Sequence, residues 1–382
     1  MLHSPRVLAV LLLCAGLAAQ TLPATRPASD LDTRVRAAKG VLDAWRERTG
    51  APGVNAALAW PEGRRIAVAS GLAMLEPPRA LRPEDRMLAG SVGKIFVSAV
   101  TLQLAQEGRL DLDAKLASWF GSEPWFARVP NAPELTLRHL LNHTSGIAEH
   151  VQQPEFLAAL AKEPERRFTP LELAAWSFDR KPLFAPGKGW SYADTNYIYA
   201  GMVLEKVLGR LYHDELQRRL LTPLRLDATT PVEGPELPGL VPGYTAKGGP
   251  FPVPGQVAEP GRYAMNPQFE WTGGGLVSTP GDLARFAARL YGGDVLGAKM
   301  RAALVAGAVR ARTGPNDRYG LGVILWPTRH GEALGHSGWF PGYLTQVAWF
   351  ADLGVAVAIQ VNTDDRKAAG ALRRLAEDLV GG

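Results

Sequence analysis

A serine and a lysine three positions apart are the residues of this chain best suited to chemistry. They lie in Ser91-Val92-Gly93-Lys94, between a small-residue turn that ends at Gly90 and an apolar run that favours a helix. On such a helix Lys94 lies one turn after Ser91, on the same face. Backbone N–H groups at a helix N-terminus favour developing negative charge, and a nearby amine can take or polarise the hydroxyl proton. The spacing predicts a serine nucleophile, but it is common by chance and needs support from other motifs.

Further motifs follow in order along the chain: Asn142-His143-Thr144-Ser145-Gly146, Ser191-Tyr192-Ala193-Asp194, Gly274-Gly275-Leu276-Val277-Ser278-Thr279 and Gly335-His336-Ser337-Gly338-Trp339. With them the chain resembles the serine β-lactamase and penicillin-binding-protein superfamily, from about residue 32 to the C-terminus. It is most similar to the branch of class C β-lactamases, D-alanyl-D-alanine carboxypeptidases, D-aminopeptidases and β-lactamase-like esterases. The resemblance implies an α/β (α+β) fold of the β-lactamase/transpeptidase type, an antiparallel sheet flanked by helices with an inserted, mostly helical domain.

The resemblance also implies a catalytic set. Ser91 would be the nucleophile, Lys94 would help to deprotonate it, and Tyr192 would take the proton as a phenolate and return it to the leaving group. A free phenol has a pKa of ~10, so the positive charge of Lys94 is expected to lower the pKa of Tyr192. The backbone N–H groups of Ser91 and Trp339 would form the oxyanion hole.

Three residues are expected to bind substrate. Asp194 stands where the family commonly has asparagine; it cannot donate a side-chain N–H to a substrate amide, but it could pair with Lys94. His336 stands where class C β-lactamases carry lysine. An unperturbed histidine titrates at ~6.5, which predicts a pH-dependent hold on a substrate carboxylate. Gly338 would permit close approach of the substrate to its strand.

The function predicted from this set is hydrolysis by a serine enzyme through an acyl-enzyme. The substrate is an ester or an amide or peptide of a D-amino acid, and the sequence does not separate these two. A true β-lactamase is less favoured, because both Asp194 and His336 depart from that pattern. The remaining alternative is a penicillin-binding sensor or scaffold that is acylated without turnover.

The composition of the chain limits the classes of partner and substrate that are expected. The chain has 382 residues, 46% hydrophobic and 21% charged, and its net charge of +5 is spread without a basic run interleaved with aromatic residues, which argues against a nucleic-acid partner. A small-molecule or cell-wall-derived substrate is expected instead, with no cofactor. No metal site is predicted, because His139 and His143 are four apart but lack a third ligand. Cys14 is the sole cysteine, so no disulfide can form within the chain.

The N-terminus has the pattern of a signal peptide. Arg6 precedes an apolar run over residues 7–19 that is short for a membrane span and ends in small residues. Cleavage after Ala18 or Ala19 is expected, which would leave residues 20–30 as a flexible lead-in and no stable span in the mature chain. The protein would then be periplasmic or secreted; the alternative is an uncleaved anchor.

Residues 31–382 are predicted to form the hydrolase domain. Residues 31–90 and about 275–382 would make its α/β part, with strands at 53–60 and 65–71, a strand meander over 319–362, and helices at 31–48 and 366–380. Residues 91 to about 274 would be mostly helical. They end in a Gly- and Pro-rich, aromatic segment over 233–275, and long irregular segments of this kind are often functional.

Overall fold

The computed structural model describes residues 28–246 and 251–381. The predicted signal peptide and residues 20–27 of the predicted lead-in lie outside the described residues, whereas residues 28–30 already belong to the first helix. The helices are α1 Ala28–Thr49, α2 Gly93–Gln106, α3 Ala117–Phe120, α4 Leu137–Leu141, α5 Pro154–Lys162, α6 Pro170–Ala175, α7 Asp194–Leu208, α8 Tyr212–Leu216, α9 Thr222–Leu224, α10 Pro280–Tyr291, α11 Ala298–Val305 and α12 Arg366–Gly381.

In the large sheet described in the next paragraph, the strands are short at the edges and long in the middle. The bounds of all described strands are β1 Gly53–Ala59, β2 Arg65–Met74, β3 Arg79–Ala80, β4 Met87–Leu88, β5 Thr230–Pro231, β6 Ala258–Glu259, β7 Arg262–Tyr263, β8 Leu276–Ser278, β9 Val309–Arg310, β10 Arg318–Tyr319, β11 Ile324–Thr328, β12 Gly331–Phe340, β13 Tyr343–Phe350 and β14 Val355–Val361. Short 3₁₀ segments precede α2 at Gly90–Val92 and precede β8 at Pro267–Gly273.

One antiparallel sheet joins the two ends of the chain. Its order is β3-β2-β1-β14-β13-β12-β11-β10-β9, and β1 pairs with β14 in a register that places Val54 opposite Val361. Every residue of β1, β13 and β14 is buried, because helices cover both faces of the sheet. The predicted α/β class with an antiparallel sheet flanked by helices is confirmed.

Two hydrophobic clusters hold the layers together. On one face of the sheet, Leu42 and Trp45 of α1 and Leu375 of α12 pack with sheet residues. On the other face, a larger cluster runs from the sheet through α10 and α2 into the helical middle of the chain, where the rings of Phe96 and Phe286 stack 3.8 Å apart. Because this second cluster is continuous, the division of the chain into an α/β part and a helical part stays a prediction.

Glycines bring the start of α2 close to its neighbours. A side chain at Gly93 would place its Cβ 2.1 Å from the carbonyl oxygen of Gly274, and one at Gly338 would place it 2.0 Å from that of Ala89. Only residues without Cβ allow this contact, so Gly93 fixes α2 against the segment before β8 and Gly338 fixes strand β12 against the turn that carries Ser91.

No helix within the described ranges is both long enough and apolar enough to cross a membrane.

The first prediction compares two glycines in helices. Gly93→Ala is expected to lower the free energy of unfolding by about 1–3 kcal/mol, because the added methyl group has no space. Gly40→Ala, at an exposed position of α1 where nothing lies within 4 Å of the new Cβ, should raise it by about 0.5–1 kcal/mol through helix propensity. Urea denaturation of both variants measures the difference; equal effects at the two sites would contradict the close packing of α2.

Candidate active site

Ser91 and Lys94 lie together at the start of α2. Ser91 belongs to the 3₁₀ turn Gly90–Val92, which leads directly into the helix, and its side chain is partly exposed. Lys94 is completely buried one turn later, and its Nζ donates a hydrogen bond to Ser91 Oγ over 3.2 Å. The turn needs Gly90, whose φ is 52°, because few residues adopt that conformation without strain. The predicted pairing of the two side chains is therefore present in the structure.

Lys94 is held by two oxygen atoms besides Ser91. Its Nζ donates to Asp194 Oδ1, at the first residue of α7, and to the carbonyl oxygen of Gly273. Burial by itself would lower the pKa of Lys94, but the carboxylate of Asp194 and the nearby Tyr192 outweigh it, and the pKa is raised. Lys94 is therefore an ammonium ion, with Asp194 as its counter-ion.

Tyr192 lies beside this pair. Lys94 Nζ is 4.9 Å from the centre of its ring, and its hydroxyl is buried and makes no hydrogen bond of good geometry with the described residues, although Ser91 and Lys94 are near enough to influence it. Burial raises the pKa of Tyr192 more than Lys94 lowers it. The expectation that the pKa of Tyr192 is lowered is therefore wrong, and the phenol keeps its proton.

His336 is buried on β12 and both of its ring nitrogens are engaged. Nδ1 donates to the carbonyl oxygen of Ser337 over 2.7 Å, which leaves Nε2 to accept from the Tyr319 hydroxyl over 2.8 Å. Burial, aided by the charge of Lys94, lowers the pKa of His336 to about 3. The expectation that His336 titrates near 6.5 is therefore wrong: the ring is neutral and accepts a hydrogen bond from Tyr319. Its predicted role in substrate binding stays a prediction.

Gly338 and Trp339 lie where β12 passes the nucleophile. Gly338 contacts the Ala89 backbone, where a side chain would not fit, so it allows β12 to approach the turn closely. Its predicted role in substrate approach stays a prediction. The Trp339 backbone lies against Gly90, where a Cβ would be 2.9 Å from the Trp339 nitrogen. An oxyanion hole made by the N–H groups of Ser91 and Trp339 fits this proximity and stays a prediction.

A cleft of about 260 Å³ opens over Ser91. Its lining combines aromatic and acidic side chains: Ser91, Glu149, Val151, Gln152, Tyr192, Asp194, Phe251, Phe269, Glu270, Trp339 and Phe340. Phe251 and Phe269 stack 5.9 Å apart, and Trp339, 39% exposed, lies 5.8 Å from Phe251. No lysine, arginine or histidine is among these described lining residues, which combine aromatic side chains with three carboxyl groups.

Sequence reasoning missed two of these acids. Glu149 accepts hydrogen bonds from the backbone nitrogen of Asp194 over 2.6 Å and from that of Val151 over 3.3 Å, and it pairs with His150 over 3.3 Å. Nothing in the sequence around Glu149 indicates this role. Glu270 belongs to the 3₁₀ segment Pro267–Gly273, within the aromatic stretch that was predicted to be functional as a whole.

The histidines considered as zinc ligands are used in packing. His139 Nδ1 accepts from the Thr136 backbone nitrogen over 3.3 Å, and His143 Nδ1 lies 3.0 Å from the Asn196 side-chain amide. Within residues 28–246 and 251–381, no group of three or more His, Cys, Asp or Glu side chains is placed to hold a metal ion.

Two solved structures match the fold over nearly its whole length. A D-stereospecific amidohydrolase from Streptomyces sp. superposes with a TM-score of 0.74 and 30% identity, and covers 88% of this chain and 98% of its own. A D-amino acid amidase from Ochrobactrum anthropi SV3, solved with L-phenylalanine amide, superposes with a TM-score of 0.78 and 25% identity, and covers 92% of this chain and 99% of its own.

Sequence comparison agrees with the structural one. The family model described as Beta-lactamase matches residues 35–381. Penicillin-binding protein 4* of Bacillus subtilis (strain 168) is 25% identical over 294 residues, which amount to 74% of this chain and 62% of that protein. The matched region therefore spans less than two thirds of this relative.

The second prediction follows from the neutral His336. The ratio of kcat/KM for p-nitrophenyl hemisuccinate, which carries a carboxylate, to that for neutral p-nitrophenyl butyrate should stay constant between pH 5.5 and 7.5. With a pKa of about 3, His336 has no charge to lose over this range. A stopped-flow pH series on the wild-type protein measures the ratio. A fall of the ratio centred near pH 6.5 would restore His336 as a carboxylate-binding cation.

Proposed function

The chain belongs to the Beta-lactamase family, and on that premise we propose that it is a serine hydrolase that cleaves amides of D-amino acids through an acyl-enzyme. The observation that carries the proposal is the partly exposed Ser91 at the base of a cleft, with the buried Lys94–Asp194 pair behind it and an aromatic wall in front. The two solved structures above, a D-stereospecific amidohydrolase and a D-amino acid amidase, support the same substrate class.

The first step needs an acceptor for the Ser91 proton. Lys94 becomes such an acceptor when it passes a proton to Asp194, a transfer that the raised pKa of Asp194 favours and the raised pKa of Lys94 opposes. The resulting pair is neutral, which costs less in a buried site than it would in water. The free amine, 3.2 Å from Ser91 Oγ, then takes the hydroxyl proton as the oxygen attacks the amide carbon.

Tyr192 completes the step as a general acid. Its raised pKa keeps a proton on the phenol, and this proton can pass to the nitrogen of the leaving amine as the C–N bond breaks. The phenolate recovers a proton from the Lys94 ammonium. Water then attacks the acyl-enzyme by the reverse route, which releases the D-amino acid and restores Ser91. The N–H groups of Ser91 and Trp339 would stabilise the tetrahedral oxyanion in both steps.

The charge of the cleft supports an amide of a free amino acid over other family substrates. A β-lactam and a peptide ending in D-alanyl-D-alanine both present a carboxylate, and the described lining residues include no cation to receive it. An ester with an apolar acyl group is the second candidate. The aromatic wall of Phe251, Phe269 and Trp339 favours it, and it has no charge to be repelled.

Export is part of the same proposal. It is supported by the basic start and apolar run of residues 6–19. N-terminal sequencing of the protein secreted by a bacterial host tests it, with residue 19 or 20 expected as the new N-terminus.

The third prediction concerns Ser91→Ala. It should abolish both fluorophosphonate labelling and hydrolysis of D-phenylalanine amide, because loss of the nucleophile of a covalent mechanism costs up to about a million-fold. Ser98→Ala, on the same helix but outside the cleft lining, is the matched control and should retain activity. A loss of less than ten-fold in Ser91→Ala would assign another nucleophile.

A substrate panel separates the candidate functions. D- and L-phenylalanine amide, p-nitrophenyl butyrate, N-acetyl-D-alanyl-D-alanine and nitrocefin are compared at equal protein concentration. The proposal expects the D-amide to be cleaved faster than the L-amide and faster than the two carboxylates. A stable label with no turnover of any compound would instead indicate a penicillin-binding sensor.

A further inference from the structure

Glu270 is a buried acid with an unused oxygen in the cleft. The residue is 6% exposed, its Oε2 makes no hydrogen bond with any described residue, and it lines the same space as Ser91. Room for the carboxyl exists because residue 274 is glycine, where a Cβ would lie 2.6 Å from Oε2. The backbone of the next residue, Trp271, has a φ of 37°, a conformation rare for a side chain of this size, so the kink that aims Glu270 is maintained at some cost.

The other two acids of the cleft are already satisfied. Asp194 is paired with Lys94, and Glu149 is held by His150 and by backbone N–H groups. The buried ammonium of Lys94 is therefore committed to Asp194. Among the cleft acids that the structure describes, Glu270 alone has neither a counter-ion nor a hydrogen-bond donor on Oε2.

The groups that face Glu270 disfavour its ionised form. Asp194 on α7 repels a negative charge there, Lys94 on α2 offsets this in part, and Tyr263 on β7 is a phenol whose own pKa is raised by burial. Glu149 adds a further carboxylate across the cleft. Burial, and to a smaller extent the charge of Asp194, raise the pKa of Glu270 to about 8. Glu270 is therefore a neutral carboxylic acid at pH 6.

We infer that Glu270, whose unpartnered Oε2 faces the cleft beside Ser91, recognises a free ammonium group of the substrate and becomes its counter-ion when the substrate enters. The inference rests on the proposed function, since the ammonium is that of the amino-acid amide. The balance is one proton: the carboxylic acid of Glu270 and the incoming R–NH₃⁺ give a carboxylate–ammonium pair, and the proton leaves to solvent through the open cleft. An N-acylated substrate cannot form this pair and leaves the proton in place.

Proton release on binding tests the inference. D-phenylalanine amide is titrated into the Ser91→Ala protein at pH 6 in two buffers of different ionisation enthalpy. At that pH both the amine, with a pKa of ~8, and Glu270 are protonated beforehand. About one proton should be released per ligand bound. In Ser91→Ala/Glu270→Gln the release should vanish and the affinity fall about ten-fold, as expected for loss of a charged hydrogen-bond partner.

Two control variants make the result specific. Ser91→Ala/Glu149→Gln should keep the proton release, because Glu149 is already ionised and satisfied. Ser91→Ala/Glu205→Gln replaces a half-buried glutamate of α7 outside the cleft and should change neither quantity. Release that survives Glu270→Gln, or that is lost with Glu149→Gln instead, would overturn the inference, as would binding without any release.

A kinetic ratio separates this inference from the proposed reaction. The compounds are D-phenylalanine p-nitroanilide and 3-phenylpropanoyl p-nitroanilide, which differ only in the ammonium group. Glu270→Gln should lower the ratio of their kcat/KM values about ten-fold. If the wild-type protein cleaves neither compound but Ser91→Ala still releases the proton, the reaction is wrong and the ammonium site stands. If cleavage is found and the ratio is unchanged in Glu270→Gln, the reaction stands and the inference fails.

The pH dependence of the melting temperature tests the inference without any ligand. It also shows whether the Glu270→Gln protein is folded. Because Glu270 keeps its proton up to about pH 8 in the folded protein but loses it near 4.5 when unfolded, it destabilises the wild-type protein increasingly from pH 4.5 to 8. The melting temperature of Glu270→Gln minus that of the wild type should therefore be larger at pH 8 than at pH 5. If this difference in melting temperature is the same at pH 5 and pH 8, Glu270 is ionised in the folded protein without ligand, and the inference is overturned.

Discussion

The site depends on one buried charge. Lys94 has no exposed surface, and an ammonium removed from water is tolerated only when a carboxylate and hydrogen-bond acceptors replace the lost hydration. Three separate parts of the chain provide them: Ser91 from the turn before α2, Asp194 from the start of α7, and the carbonyl of Gly273 from the kinked segment before β8. The need to satisfy Lys94 therefore holds these three segments in one place and creates the floor of the cleft.

Close backbone contacts keep that floor at a fixed distance from the sheet. Gly93 meets Gly274, and Gly338 of β12 meets Ala89, each at a distance that a side chain would forbid. Strand β12 pairs with β11 only as far as Gly335. Beyond that residue, the stretch that carries Trp339 has no partner on this edge among the described strands, and it passes beside Ser91. The predicted oxyanion hole would use backbone N–H groups on this edge, beside Ser91.

The charge of the cleft is what distinguishes this chain from the family pattern that it resembles. His336 stands in place of a permanent cation and is neutral because it is buried, while Asp194 stands in place of a neutral amide and neutralises Lys94. Among the described lining residues, which also include the acids Glu149 and Glu270, there is no positive group to receive a carboxylate. This difference supports the proposal that the substrates are cationic or neutral.

The sequence by itself determined which residues are candidates for catalysis and which helices and strands carry them. The spacing of Ser91 and Lys94 places both on one helical turn, and alternation of apolar residues predicted the long central strands, because both effects act over a few neighbouring residues. The tertiary structure alone decided the protonation states of Tyr192 and His336, which depend on burial by distant segments rather than on their own motifs. It also decided that Glu270 enters the cleft, since that requires a backbone kink at Trp271 and the absence of a side chain at residue 274.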